Sequence, residues 1–156
     1  MSDYMMDMRR FVGHRPVLQA GASVLLEDPE GRILLQRRAD NHLWGYHGGS
    51  VELDEVVEEA ARRELREETG LCAGKMELFG IFSGPEMHFI YPNGDEVSNI
   101  DHVYLCTEYS GELCPQPGEV EELRFFAADE LPAPEEITSM NIPALRAWAE
   151  RRGKRG

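Results

Sequence analysis

GGSVELDEVVEEAARRELREETGL, residues 48–71, is the stretch from which the fold can be read. It opens on the pair Gly48 and Gly49, which suits either a turn with φ > 0 or a close approach of backbone to another group. Asp54 is a candidate N-cap, and Glu55, Glu58 and Glu59 give the first turn the negative charge a helix N-terminus favours. Gly70 stands where a helix begun near Glu55 is expected to stop. The segment therefore reads as loop, helix of about four turns, and exit.

At about 100° per residue, Val57, Ala60 and Ala61 fall on the same side of this helix as Glu64, Glu67 and Glu68. Glu59, Arg62 and Arg66 project the other way. A solvated face with Glu58–Arg62 and Glu59–Arg63 ion pairs accounts for part of the acidic run. It does not account for Glu64, Glu67 and Glu68. Their i,i+3 and i,i+4 repulsions cost about 0.2–0.5 kcal/mol each even when exposed, and more when partly desolvated. A positive partner is expected among them. Three carboxylates one turn apart form a hard, all-oxygen site suited to Mg²⁺ or Mn²⁺ rather than zinc. The Gly48 carbonyl is a further candidate ligand, because the glycine turn brings backbone close.

The same stretch resembles the Nudix box, G-x5-E-x7-R-E-U-x-E-E-x-G-U, with U a bulky aliphatic residue. Gly49, Glu55, Arg63, Glu64, Leu65, Glu67, Glu68, Gly70 and Leu71 all match at the required spacing. Looser similarity extends to the strand at 31–38, to Trp44 and to Asp129-Glu130-Leu131-Pro132. The resemblance implies an α/β/α sandwich around a mixed sheet and places catalysis on the box acids, Glu67 included. In this setting Arg63 is expected to orient Glu55 or another box acid through an ion pair, a role compatible with a helical pair to Glu59. Two positions depart from common family usage. His47 stands where proline is frequent, and Asp54 where glycine is frequent.

Working outward, 156 residues allow one domain with a proper core. The expected division is a lead-in over 1–15 and a single Nudix hydrolase domain over 16–156. Hydrophobic content of 42% is that of an ordinary soluble protein. A net charge of −13 argues against an extended nucleic-acid surface. An anionic substrate must then be met by local basic groups or bound cations. No apolar run is long enough for a membrane span, and the first residues lack the apolar core of a signal peptide. Cys72, Cys106 and Cys114 form no C-x2-C pair and read as reduced thiols, which points to the cytoplasm.

Strands are expected over Val17–Leu26 and Gly31–Arg38, joined through the turn Glu27–Gly31 as a hairpin. Further strands are expected over Leu78–Ser83, Met87–Tyr91, Val97–Glu108 and Leu123–Ala127, with Asn93-Gly94 marking a hairpin turn. Asn141–Arg152 reads as an amphipathic helix with Pro143 in its first turn. Strands mixed with two substantial helices give α/β, bordering on α+β.

Arg37 and Arg38 point to opposite faces of their strand, and by position in the family pattern Arg38 is the candidate to meet phosphate. His88 and His102 lie in strands and are expected to be structural. No G-x-S-x-G motif or Cys–His spacing supports a covalent nucleophile. Many Nudix enzymes draw a further glutamate from a loop after the box, and here Glu119, Glu121 and Glu122 are available, Glu119 and Glu122 being the candidates for the general base. The expectation is a metal-dependent hydrolase acting on a small nucleotide derivative. It cleaves the pyrophosphate bond of a nucleoside diphosphate linked to another moiety, by attack of water at phosphorus. The alternatives are a nucleoside triphosphate pyrophosphatase or a non-catalytic nucleotide-sensing domain. A homodimer is an open option for assembly.

Overall fold

A computed structural model describes residues 4–155; residues 1–3 of the lead-in and Gly156 lie outside the described residues. In chain order the elements are α1 (Tyr4–Val12), β1 (Val17–Leu26), β2 (Ile33–Arg38), β3 (Trp44–Gly45) and β4 (His47–Ser50). There follow α2 (Val57–Thr69), β5 (Cys72–Ala73), β6 (Met76–Phe82), β7 (His88–Ile90) and β8 (Glu96–Cys106). Then come β9 (Tyr109–Ser110), β10 (Val120–Phe126) and α3 (Ile142–Arg155).

The main sheet runs β4-β1-β8-β6, with β7 also paired to β8. It is mixed: β1 and β8 are parallel along their full length, and the other pairings are antiparallel. A smaller antiparallel sheet, β10-β2-β3, lies beside it. β1 alternates between two cores. Ala22, Val24 and Leu26 pack with Ala60, Ala61 and Leu65 of α2, and Leu71 completes that cluster. Leu25 belongs to the other, with Val103, Leu105 and the α3 residues Leu145 and Trp148. Helices thus cover both faces of a mixed sheet, as expected. Trp148 also donates its indole N–H to buried Glu27 at 2.7 Å, fixing α3 against the start of the β1–β2 turn.

The expected β1–β2 hairpin does not form. Both edges of β1 are taken, by β4 and β8, so β2 finds its partners in β10 and β3. The two arms are linked by an isolated bridge, Glu27 to Ile33, and by the Asp28 N–H donating to the Arg32 carbonyl at 2.9 Å. Asp28 shapes the turn by accepting from the backbone N–H groups of Glu30 and Arg32 and from the Arg32 guanidinium. The chain thereby passes from one sheet to the other. The Asn93-Gly94 hairpin does form, with Gly94 at φ 94° and β7 registered on β8.

Helix α2 starts at Val57, two residues later than expected, and Val56 rather than Asp54 is its N-cap. Asp54 instead adopts φ 63°, a left-handed conformation that Asp tolerates better than most residues. At the other end Gly70 has φ 80° and its N–H bonds to the Arg66 carbonyl, closing the helix. The lead-in carries α1, whose Arg9 donates to the Gly13, Arg15 and Glu96 carbonyls and so ties it to the β7–β8 hairpin. No helix among the described residues is long and apolar enough to cross a membrane.

Candidate active site

The glycine pair is required by proximity and not by φ, since neither residue is among those with positive φ. A Cβ on Gly49 would stand 2.5–2.8 Å from the Glu64 carboxylate. A Cβ on Gly48 would meet Ser23 and stand 2.7 Å from the Ala22 carbonyl oxygen of β1. Strand β4 therefore lies against β1 on one side and the acidic face of α2 on the other. The Gly48 N–H donates to Glu68, and Gln36 of β2 donates to the same carboxylate.

Glu64 and Glu68 are both buried and share a hydrogen bond. Burial pushes each up to about 7, and for Glu64 the neighbouring Glu68 adds to the effect. Burial thus disfavours ionising both carboxylates at once. Glu67 is about a third exposed and lies 3.5 Å from Arg63. Arg63 is the hub of the group. It binds Glu55 through Nε at 2.8 Å and Nη2 at 3.0 Å, Glu64 through Nη1 at 2.9 Å, and the Ser50 carbonyl at 3.1 Å. The ordinary helical pair with Glu59 is absent from these contacts. Glu59 is met by Arg62 at 3.6 Å instead, and Glu58 by Arg62 at 3.8 Å. The fork of Arg63 reaches Glu55 because the 52–55 turn folds that acid back over the helix.

His47 is fully buried, both ring nitrogens lack a hydrogen-bond partner, and Nδ1 lies 3.7 Å from Glu68. Burial drives its pKa down to about 4, so it is neutral at pH 7. His88 pairs with Glu96 across the hairpin and His102 meets the Gly21 carbonyl, both structural contacts.

A cavity of about 220 Å³ opens beside this cluster, lined by Gly48, Gly49, Glu68, Arg38, Tyr91 and Glu119 among others. Arg38 faces it while holding Asp40 through two hydrogen bonds of 2.7 and 3.0 Å. Arg37 turns away from the cavity to Glu121. Glu119 lies in the turn before β10 and contributes to the wall. The structure does not bring Glu122 to the cavity. Its carboxylate is held by Arg124 at 2.7 and 2.9 Å, on the strand beyond the loop. Sequence reading missed the sheet-side wall, where Gln19, Gly21 and Ser23 of β1 register with Asn99, Asp101 and Val103 of β8. Asp101 accepts hydrogen bonds from Ser23 at 2.7 Å and Tyr46 at 2.8 Å. The only sequence signal was polar residues recurring every second position within otherwise apolar strands.

Among the described residues no three His, Cys, Asp or Glu side chains converge closely enough to hold a metal ion as they stand. Glu64 and Glu68 converge, while Glu67 is drawn toward Arg63. The donor set nevertheless fits a hard divalent cation. Two adjacent buried carboxylates, each raised by burial, offer oxygens to a cation, and the absent Cβ of Gly49 leaves Glu64 its place.

The NUDIX domain family model matches residues 17–147. The chain is 35% identical over 108 residues to an ADP-ribose pyrophosphatase of Methanocaldococcus jannaschii, covering 67% of this chain and 60% of that protein. It is 31% identical over 112 residues to a putative 8-oxo-dGTP diphosphatase of Bacillus subtilis, covering 72% and 68% respectively. Among solved structures, a MutT NUDIX hydrolase from Burkholderia pseudomallei superimposes with a TM-score of 0.70 at 32% identity. That match covers 83% of this chain and 97% of the other.

Proposed function

The chain belongs to the Nudix family, and from that premise we propose that it is a divalent-cation-dependent pyrophosphohydrolase acting on a nucleoside diphosphate linked to another moiety. The observation that carries this reading is the buried, mutually adjacent Glu64–Glu68 pair, with Glu68 on the cavity wall and Arg63 as its one close cation among the described residues. A protein that only bound nucleotide would fold better without two carboxylates forced together. The names of the two relatives, one a pyrophosphatase and one a diphosphatase, agree with the class.

Glu64, Glu67 and Glu68, with the Gly48 carbonyl, would hold Mg²⁺ or Mn²⁺. Such an ion supplies neutralisation of the diphosphate and acidifies a bound water. A cation held there would favour the ionised forms of Glu64 and Glu68, offsetting what burial costs them. Arg63 keeps Glu55, Glu64 and Glu67 in place, so the acids keep their spacing when they ionise. Arg38 meets a phosphate oxygen, exchanging part of its hold on Asp40 for the ligand. Glu119 accepts the proton of the attacking water, the role for which its position on the wall suits it better than that of Glu122. The three cysteines carry no disulfide, consistent with a cytoplasmic setting.

A panel of nucleotide sugars, dinucleotides and triphosphates, assayed with and without Mg²⁺ and Mn²⁺, tests the proposal. Cation-dependent release of a nucleoside monophosphate from the diphosphate derivatives supports it. Release of inorganic pyrophosphate from triphosphates alone would favour the triphosphate reading, and no turnover with any member would defeat both.

A further inference from the structure

His47 opens β4 immediately before the glycine pair, and its ring is fully enclosed. Both ring nitrogens are buried without a hydrogen-bond partner. The Leu34 backbone of β2 approaches the ring but completes no bond with it. An imidazole kept only to fill space would cost the fold two desolvated polar atoms that leucine, of similar volume, does not carry. Nδ1 points to a use for them. It lies 3.7 Å from Glu68 Oε1, just beyond hydrogen-bond length. The same Oε1 already accepts from the Gln36 amide, and the Gly48 N–H donates to the same carboxylate. Gln36, His47 and Gly48 thus surround one acid, two of them bonded to it and the third held a fraction of an ångström short.

Resting on the cation-dependent reading above, we propose that His47 is a positioning residue for Glu68: its Nδ1–H donates to Oε1 and, with Gln36, fixes the carboxylate for a divalent cation. A carboxylate that ligates a cation keeps its orientation only if donors behind it hold it. The ring is enclosed on every side, so Glu68 is the partner that moves. Contraction of the 3.7 Å gap to the roughly 3.0 Å of an N–H···O bond lies within the reach of a small torsion of its side chain. Histidine carries a proton on Nδ1 in one of its two neutral tautomers, and the bond to Oε1 selects that tautomer. The two unpaired nitrogens of the cation-free protein are then the cost of a donor kept in place for the loaded one.

Titration calorimetry with Mn²⁺ on the wild type, His47→Leu and His47→Asn, beside melting curves in EDTA, reads this role without requiring turnover. His47→Leu should bind Mn²⁺ about tenfold more weakly. Its melting temperature in EDTA should hold or rise, since two unpaired polar atoms have been removed. Asparagine sets an amide nitrogen near the place of Nδ1, so His47→Asn should return the affinity to within about threefold of wild type. On the wild type, ¹H–¹⁵N spectra of the histidine rings should show Nδ1 of His47 gaining a hydrogen-bonded proton on saturation with Mg²⁺, its signals being assigned by their loss in the variants. A folded His47→Leu protein that binds Mn²⁺ as tightly as wild type overturns the proposal. So do His47 ring signals that ignore Mg²⁺ while the wild type binds it. A His47→Leu protein that melts lower in EDTA, with His47→Asn no better at binding Mn²⁺, would assign the ring to packing and overturn it as well. A wild type that binds neither cation would reject the cation reading itself, a result distinct from all of these.

Discussion

Replacing Glu68 by Gln should stabilise the cation-free protein and abolish its response to Mg²⁺. Glu68 is buried, and its carboxyl keeps a proton up to about pH 7, against an ordinary value of 4.5. A folded-state value raised above the unfolded one favours folding below pH ~4.5, and that advantage is lost as the pH rises through 7. Above pH ~7 the ionised group then costs the folded state at most about 3 kcal/mol. The contacts from Glu64, Gln36 and Gly48 reduce this, so about 1–3 kcal/mol is expected from Glu68→Gln at pH ~8. For a chain of this size that is a rise of roughly 3–10 °C in melting temperature, measured in EDTA. With Mg²⁺ at about a hundred times its dissociation constant the wild type should gain about 2.7 kcal/mol by mass action, and the variant little. The order of the two melting curves should therefore narrow or invert on adding the cation. A variant less stable than wild type in EDTA, yet equally responsive to Mg²⁺, would refute the reasoning.

Glu119→Gln should cut turnover by about 10²–10⁴-fold while Glu122→Gln stays near the wild-type rate; the opposite pattern would move the base to the strand beyond the loop. Gly49→Ala puts a Cβ 2.5–2.8 Å from the Glu64 carboxylate, so Mn²⁺ affinity by calorimetry should fall about tenfold or more with the fold intact. Gly48→Ala instead confronts the Ala22 carbonyl at 2.7 Å, which is backbone and cannot swing away, and unfolding should show a loss of about 1–3 kcal/mol.

The parts of this molecule that could be read from sequence are those fixed by local spacing. The box is such a case: one helix carries Glu64, Glu67 and Glu68, and Gly70 ends it. Strand β1 and the Asn93-Gly94 hairpin are others, because an apolar run or a turn dipeptide carries its own signal. The β1–β2 pairing failed for a reason local patterns do not hold. The turn at Asp28 is compatible with a hairpin, and only the prior claim of β4 and β8 on both edges of β1 excludes it. Asp54 misled because Asp serves equally as an N-cap and as a tolerated left-handed residue. The wall of Asn99, Asp101 and Thr138 was invisible since it is assembled from β8 and a distant loop against Gly21 and Tyr46. Arg63 shows the intermediate situation. Its ion-pair role was legible from the box, whereas its choice of Glu55 over Glu59 depends on how the 52–55 turn folds back.

The central claim is that water attacks phosphorus and not the carbon of the linked moiety. Hydrolysis of a nucleoside diphosphate sugar in ¹⁸O-labelled water, with the products weighed by mass spectrometry, tests it most directly. The account requires the label in a phosphate group of one product, because the entering oxygen bonds to phosphorus while the bridging P–O bond breaks. Label in the hydroxyl of a released sugar would mean attack at carbon, and would contradict it.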